Sequence, residues 1–339
     1  MGCKAPLQAL RNGAGAIRLL PRFVQGLDLN GRLAFGESVL ELPCGKCAQC
    51  RVARAQEWAL RCHHEAQFHR HDDGSPNAAF VTLTFENEGL AFRELKYGTH
   101  PLSLSVRDWQ LFAKRLRQHI ARQHRRREKK LGLVPSDPPK FKFFAVGEYG
   151  REKLRPHYHV LLFGWDFSED RVQCTDEGGM SFFLSPTLEK LWGYGRTDIR
   201  PMTPETINYV CRYVVKKLTG EDANRFLQRI DPDTGDVITV APEFAVMSRN
   251  PGIGARWFDR FKDDVYPDNF VILKGRPTRV PRYYANRLKQ QDPERAEAVA
   301  DKAKEKAKKF LPEKITNRRK VKVKVTKARI KLAASRKLD

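Results

Sequence analysis

Phe143-Phe144-Ala145-Val146-Gly147-Glu148-Tyr149, then Gly150 to Leu154, then Arg155-Pro156-His157-Tyr158-His159-Val160-Leu161-Leu162-Phe163: this stretch decides the reading of the chain. Both flanks are rich in aromatic and β-branched residues, so Lys140 to Tyr149 and Arg155 to Trp165 read as strands. A connection this short suits a hairpin. On a strand, His157 and His159 point to one face, while Tyr158 and Val160 point to the other, into a core. In a hairpin, Glu148 can sit beside both histidines.

Upstream, Ala79-Phe80-Val81-Thr82-Leu83-Thr84-Phe85 alternates and reads as a third strand. Residues 105–130 read as a long helix. Ser105 is its N-cap, and Trp109, Phe112, Leu116 and Ile120 recur at helical spacing. Its distal end is very basic. Pro135 to Pro139 is a linker. Downstream, residues 166–181 read as a polar loop, Pro186–Trp192 as a short helix, and Gly195 to Pro201 as a strand. Thr203-Pro204-Glu205 starts a helix, with Thr at the N-cap and Pro at the first position, running to about Leu218. Residues 221–242 read as a polar insertion, Glu243–Met247 as a short strand, and Arg256–Val265 as a helix after the Gly-rich turn 250–254. Near the start, one strand is expected about Arg32–Leu42 and a helix from Val52 to His69. No internal repeat is evident.

The chain has 339 residues and a formal charge of +23. Residues 301–339 carry 16 Lys/Arg against 4 Asp/Glu, about half of that excess. Hydrophobic residues make up 41%, which supports a folded core. A charge this positive favours a polyanionic partner, nucleic acid before an anionic membrane surface. No apolar run approaches a membrane span, and MGCKAPLQAL lacks an apolar signal core. Seven cysteines without such a signal argue against a disulfide framework. The expectation is a soluble protein of a reducing cytoplasm.

Three constellations could carry chemistry. His157 and His159 with Glu148 would make an open two-histidine, one-carboxylate metal site, with positions left for phosphate oxygen and water. The competing reading is two polar residues and an ordinary carboxylate on a half-exposed strand. Tyr209 and Tyr213, four apart, share a helix face. A phenol hydroxyl can attack a phosphodiester and remain attached to it. With a usual pKa of about 10 it needs help from a cation such as Lys216 or from a metal-polarised phosphate. Against this, tyrosines at helical spacing commonly pack into a core. Cys44, Cys47 and Cys50, with Cys62 further on, offer four thiols for a structural zinc, with His63 or His64 as substitute ligands. Small buried cysteines need no metal, and that reading stays open. His63, His64, His69 and His71 read as a solvated helix face.

Taken in order, the motifs resemble a known family. Phe80 to Phe85, Glu148 with His157-Tyr158-His159, and Tyr209-x3-Tyr213 followed by Lys216 and Lys217 resemble an HUH-type rolling-circle replication initiator of small single-stranded DNA phages, gokushovirus-like Microviridae. Leu42 to Cys47 and Ser248 to Gly254 also look like that group, so the resemblance covers roughly 40–265. It implies an α+β fold with an antiparallel central sheet and flanking helices. The expected organisation is an N-terminal segment 1–77 with the cysteine cluster and a helix, a nicking domain 78–270, and a basic low-complexity extension 271–339. The resemblance also implies Mg²⁺ or Mn²⁺ at Glu148, His157 and His159, and attack by Tyr209 or Tyr213. The residue before Tyr213 is Arg212, where many relatives with one tyrosine have Lys, so the orienting lysine is left open with Lys216 and Lys217 as candidates. Implied partners are origin DNA, single-stranded and supercoiled double-stranded, and the host helicase and polymerase, with no membrane. The implied location is the cytoplasm of the bacterial host. The alternatives are an HUH transposase or relaxase, or a basic zinc-stabilised nucleic-acid-binding protein without catalysis. No G-x4-G-K-[ST] follows the tyrosines, so no fused helicase is expected.

Overall fold

The computed structural model describes residues 3, 6–12, 14, 16–20, 38–150, 154–176, 178–216, 227–231, 234–266, 268–273, 275–308 and 316–335. The chain divides into two compact units, Met1–Arg54 with Glu297–Lys337, and Ala55–Ala296.

In the first unit, strands β1 (Leu7–Arg11), β2 (Ile17–Leu19) and β3 (Ser38–Leu42) form an antiparallel sheet in the order β2-β1-β3. Only one strand was expected here, because β1 and β2 are too short to show a period. Helix α1 (Ala48–Ala66) begins in this unit and continues into the next.

The second unit is built on a seven-stranded antiparallel sheet. In chain order its strands are β4 (Ala78–Leu83), β5 (Lys142–Tyr149), β6 (Pro156–Phe163), β7 (Val172–Thr175), β8 (Ser181–Leu184), β9 (Thr197–Pro201) and β12 (Phe244–Met247). The spatial order is β12-β5-β6-β4-β9-β8-β7. The expected hairpin exists: β5 and β6 pair with Glu148 opposite His157.

The period-two pattern of β4, β5 and β6 sends side chains into two cores. On one face Val81, Leu83, Ala145, Tyr158, Val160 and Leu162 meet α3 (Val106–Leu131) through Trp109, Phe112 and Leu116, and α4 (Pro186–Trp192) through Leu188 and Trp192. On the other, Phe80, Phe144, Val146, Leu161 and Phe163 meet Ala59 and Cys62 of α1 and Ile207, Val210 and Cys211 of α5 (Pro204–Lys216). Each fully buried Phe or Leu contributes roughly 1.5–3 kcal/mol. A one-residue register slip would send each set of side chains to the opposite core, where its partners do not fit.

Capping follows the sequence. The Ser105 side chain accepts a hydrogen bond from the Arg107 amide, and Gly132 ends α3 at φ 63°. Thr203 and Thr206 bond each other reciprocally: the Thr206 amide donates to Thr203 Oγ1 (3.3 Å) and the Thr203 amide to Thr206 Oγ1 (2.8 Å). Pro204 then needs no partner for its missing N–H.

Several expectations are corrected. Residues 166–181 are not all loop, because β7 and β8 form an edge hairpin there. The insertion 221–242 holds a hairpin of β10 (Gln228–Ile230) and β11 (Val237–Thr239). Helix α2 (Asn87–Tyr97) occupies a stretch to which the sequence reading assigned no element. Its Arg93 is fully buried, donates to Asp108 at 2.9 Å and to the carbonyls of His100 and Pro101, and so ties α2 to α3. Among the described residues of the basic extension are two helices, α8 (Pro293–Lys308) and α9 (Thr316–Ser335). Its first residues belong to the second unit. There α6 (Ala255–Val265) and α7 (Arg282–Gln291) pack through Phe258 and Tyr284, and β13 (Phe270–Leu273) pairs with β14 (Arg276–Arg279).

The expected solvated histidine face is also corrected. His64 is buried and stacks on Trp257, His69 bonds Glu65, and His71 bonds Asp166. No helix among the described residues is long and apolar enough to cross a membrane.

Candidate metal and tyrosine site

The β5–β6 hairpin creates the site. Paired residues of an antiparallel ladder share a face, so Glu148 and His157 point together, and His159 follows two residues on. Glu148 Oε1 lies 2.8 Å from His157 Nε2 and 3.1 Å from His159 Nε2. The two imidazole centroids are 5.0 Å apart. Glu148 and His159 are buried, and His157 is half-buried. Burial by itself would raise the Glu148 carboxyl, but the hydrogen bonds and charge of His157 and His159 outweigh it and hold it down to about 2.

These three residues fit a cation. His157 Nδ1 lies 3.3 Å from the Arg155 carbonyl oxygen, which can only accept. A proton on Nδ1 leaves the Nε2 lone pair facing the Glu148 carboxylate. Two lone pairs at that distance require positive charge between them, from a second proton or a metal ion. Nδ1–H to a backbone carbonyl with Nε2 turned inward is the usual arrangement of a metal-ligating histidine.

Thr82 supports the second histidine. It stands opposite His159 across the β4–β6 ladder, and its Oγ1 is 3.3 Å from His159 Nδ1. Asp198 of β9 pairs with Thr82 on the other side and extends the polar row by one strand. Burial raises its carboxyl, against Arg200 Nε 3.8 Å away. The sequence reading missed Asp198, since its pairing to Thr82 spans more than a hundred residues.

Helix α5 covers this end of the sheet. The Tyr209 ring lies 5.4 Å from that of His159 and 6.0 Å from that of Phe80, both edge-on, with the Arg212 guanidinium 5.6 Å above it. Tyr209 and the two-histidine group therefore share one face. Tyr213 and Lys216 lie on the same helix, but their side chains and the whole of Lys217 fall outside the described residues.

The cysteine cluster is only partly as expected. Cys44, Cys47 and Cys50 come together, but Cys62 does not join them. Twelve residues of helix, about 18 Å, separate it from Cys50, and it is buried among Phe80, Phe144 and Cys211. The fourth member is Cys3, and all four sulfurs lie within 4.8 Å of one another.

Residues 78–218 match the family of replication-associated proteins ORF2/G2P. The chain is similar to replication-associated protein VP4 of Bdellovibrio phage phiMH2K, 29% identical over 75% of this chain and 69% of the relative. It is also similar to replication-associated protein ORF2 of Spiroplasma virus 4, 26% identical over 86% of this chain and 81% of the relative. Replication-associated protein ORF4 of Chlamydia phage 1 is 26% identical over 79% of this chain, and that match spans 58% of the relative. No solved structure matches significantly. The chain thus resembles the rolling-circle replication proteins of small single-stranded DNA phages, as the motifs led one to expect. Glu148, His157, His159 and Tyr209 all lie within the matched region.

Proposed function

We propose that this chain initiates rolling-circle replication by nicking one strand of phage origin DNA and later rejoining it. The observation that carries the reading is the approach of Tyr209 to the Glu148–His157–His159 group on one face of the sheet. Bound there, Mg²⁺ or Mn²⁺ would supply Lewis-acid polarisation of the scissile phosphate. Imidazole ligands suit Mn²⁺ better, and abundance favours Mg²⁺.

Tyr209 or Tyr213 attacks phosphorus through its phenol oxygen. The bond from phosphorus to the 3′ oxygen breaks, that oxygen takes a proton, and the 5′ end stays on the enzyme as a phosphotyrosine. The free 3′-hydroxyl serves the host polymerase while a host helicase opens the duplex. After one round, the second tyrosine can cut the regenerated origin and release a circle. Lys216, Lys217 and Arg212 offer positive charge to the phenolate and the phosphate. His159, held by Thr82, and His157, held by the Arg155 carbonyl, keep their Nε2 atoms aimed at the site.

The test is cleavage of a single-stranded origin oligonucleotide with Mg²⁺ or Mn²⁺. Cleavage should stop in EDTA and in His157→Ala, His159→Ala and Glu148→Ala variants that remain folded. Full cleavage by these variants in chelator would end the proposal.

A further inference from the structure

We propose that Cys3, Cys44, Cys47 and Cys50 hold one zinc ion, which staples the N-terminal strand to the start of α1. This goes beyond the nicking reading and does not depend on it.

The strand register makes the site. β1 and β3 pair with Leu7 opposite Leu42, and Cys3, before β1, lies beside Cys44 and Cys47, which follow β3. Cys3 Sγ lies 3.8 Å from Cys47 Sγ. Sulfurs around a tetrahedral zinc at about 2.3 Å sit about 3.8 Å from one another. The whole set lies within 4.8 Å, which suits a single ion. A polynuclear iron–sulfur cluster would hold its thiolates wider, because metal–metal edges lie between them.

The surroundings are prepared for thiolates. The Cys44 amide donates to Cys3 Sγ at 3.3 Å and the Cys47 amide to Cys44 Sγ at 3.4 Å. Gly45, at φ +74°, makes the left-handed turn between Cys44 and Cys47. Gln49 stands against the cluster, where its Oε1 accepts from the Cys47 thiol. It is 3% exposed, its Oε1 stands 3.5 Å from Cys47 Sγ, and its Nε2 has no hydrogen-bond partner among the described residues. An amide turned end for end would place that N–H on a thiolate.

The described part of the unit has little apolar core of its own. Among its described residues, only Ala9 and Leu20 are buried hydrophobics. A sheet whose described residues bury so little gains from a staple. Four thiolates fill the coordination sphere, so the ion is structural and has no position for substrate. On binding, each thiol gives its proton to solvent.

The test uses the full-length protein, purified under reducing conditions from zinc-supplemented cells. Elemental analysis should find about one zinc per chain. Cobalt exchanged into the wild type should give the intense thiolate-to-metal absorption of a tetrahedral tetrathiolate site. Cys3→Ser should lose or weaken that band, whereas Cys62→Ser should keep it. A Cys3→His variant, which keeps a zinc ligand, should retain the metal with a shifted spectrum, so misfolding of the serine variant cannot decide the result alone. His157→Ala/His159→Ala should retain zinc, which separates this site from the one proposed for nicking. A folded wild type without zinc, two disulfides among these four cysteines in freshly isolated protein, or loss of the band with Cys62→Ser but not with Cys3→Ser would each overturn the assignment.

Discussion

Lowering the pH from 7.5 to 5.0 should destabilise the second unit through His64. The ring is sandwiched in the α1–α6–α7 contact, with its centroid 3.5 Å from that of Trp257 and nearly parallel to it. Tyr284 is 2.9 Å from Nδ1, and burial raises that phenol, so it keeps its proton and donates. Burial, then the charge of neighbouring His63, lowers His64 from 6.5 to about 3. The unfolded chain therefore binds a proton that the folded chain refuses between pH 6.5 and pH 3. Stability is fully present above pH 6.5 and falls as the pH drops through that window. Over the 1.5 units from 6.5 to 5.0, at 1.36 kcal/mol per unit, His64 contributes a loss of about 2 kcal/mol. Above pH 5 most carboxylates are ionised in both states and add little. His119, also lowered by burial, acts with the same sign. Urea unfolding followed by tryptophan fluorescence at a series of pH values reads the effect. His64→Phe keeps the stacking and removes the titration, so its pH slope should be flatter by about the same 2 kcal/mol. A variant that retains the wild-type slope would refute the reasoning.

Three further outcomes are expected. Thr82→Val removes the hydroxyl 3.3 Å from His159 Nδ1 and should weaken Mn²⁺ binding by roughly ten- to a hundredfold without unfolding the protein, as titration calorimetry can measure. Gly89→Ala places a Cβ 2.0 Å from the Tyr194 carbonyl oxygen, which is backbone and cannot yield, so thermal unfolding should show a loss of roughly 1–3 kcal/mol. Deleting residues 301–339 removes 16 Lys/Arg and 4 Asp/Glu, so DNA affinity should fall and its salt dependence flatten, while cleavage of saturating single-stranded substrate survives.

The β5–β6 hairpin was legible because both strands carry strong patterns and their connection is short. Local contacts with a clear period needed no tertiary information, which is also why α3, α4 and the Thr203 cap were readable. Cys3 could not be found that way. It reaches Cys44 only through the β1–β3 ladder, and β1 has five residues with no alternation to announce it. Choosing Cys62 followed nearness in sequence, but a rigid helix carries that thiol away from Cys50 into the core. The hairpins β7–β8 and β10–β11 were hidden for a related reason: their residues are largely exposed, so no buried face imprints a period on the sequence. Asp198 was missed because a lone aspartate acquires meaning only from the strand beside it.

The central claim is that a tyrosine of α5 becomes covalently joined to DNA beside the two histidines. The most direct measurement is to incubate the protein with single-stranded origin DNA and Mn²⁺, denature it, and map the adduct by peptide mass spectrometry. The account predicts a 5′-phosphotyrosine on Tyr209 or Tyr213, and no adduct in the Tyr209→Phe/Tyr213→Phe double variant, which should still bind DNA. An adduct on another residue, such as Tyr149 or Tyr158, or cleavage by the double variant, would contradict it.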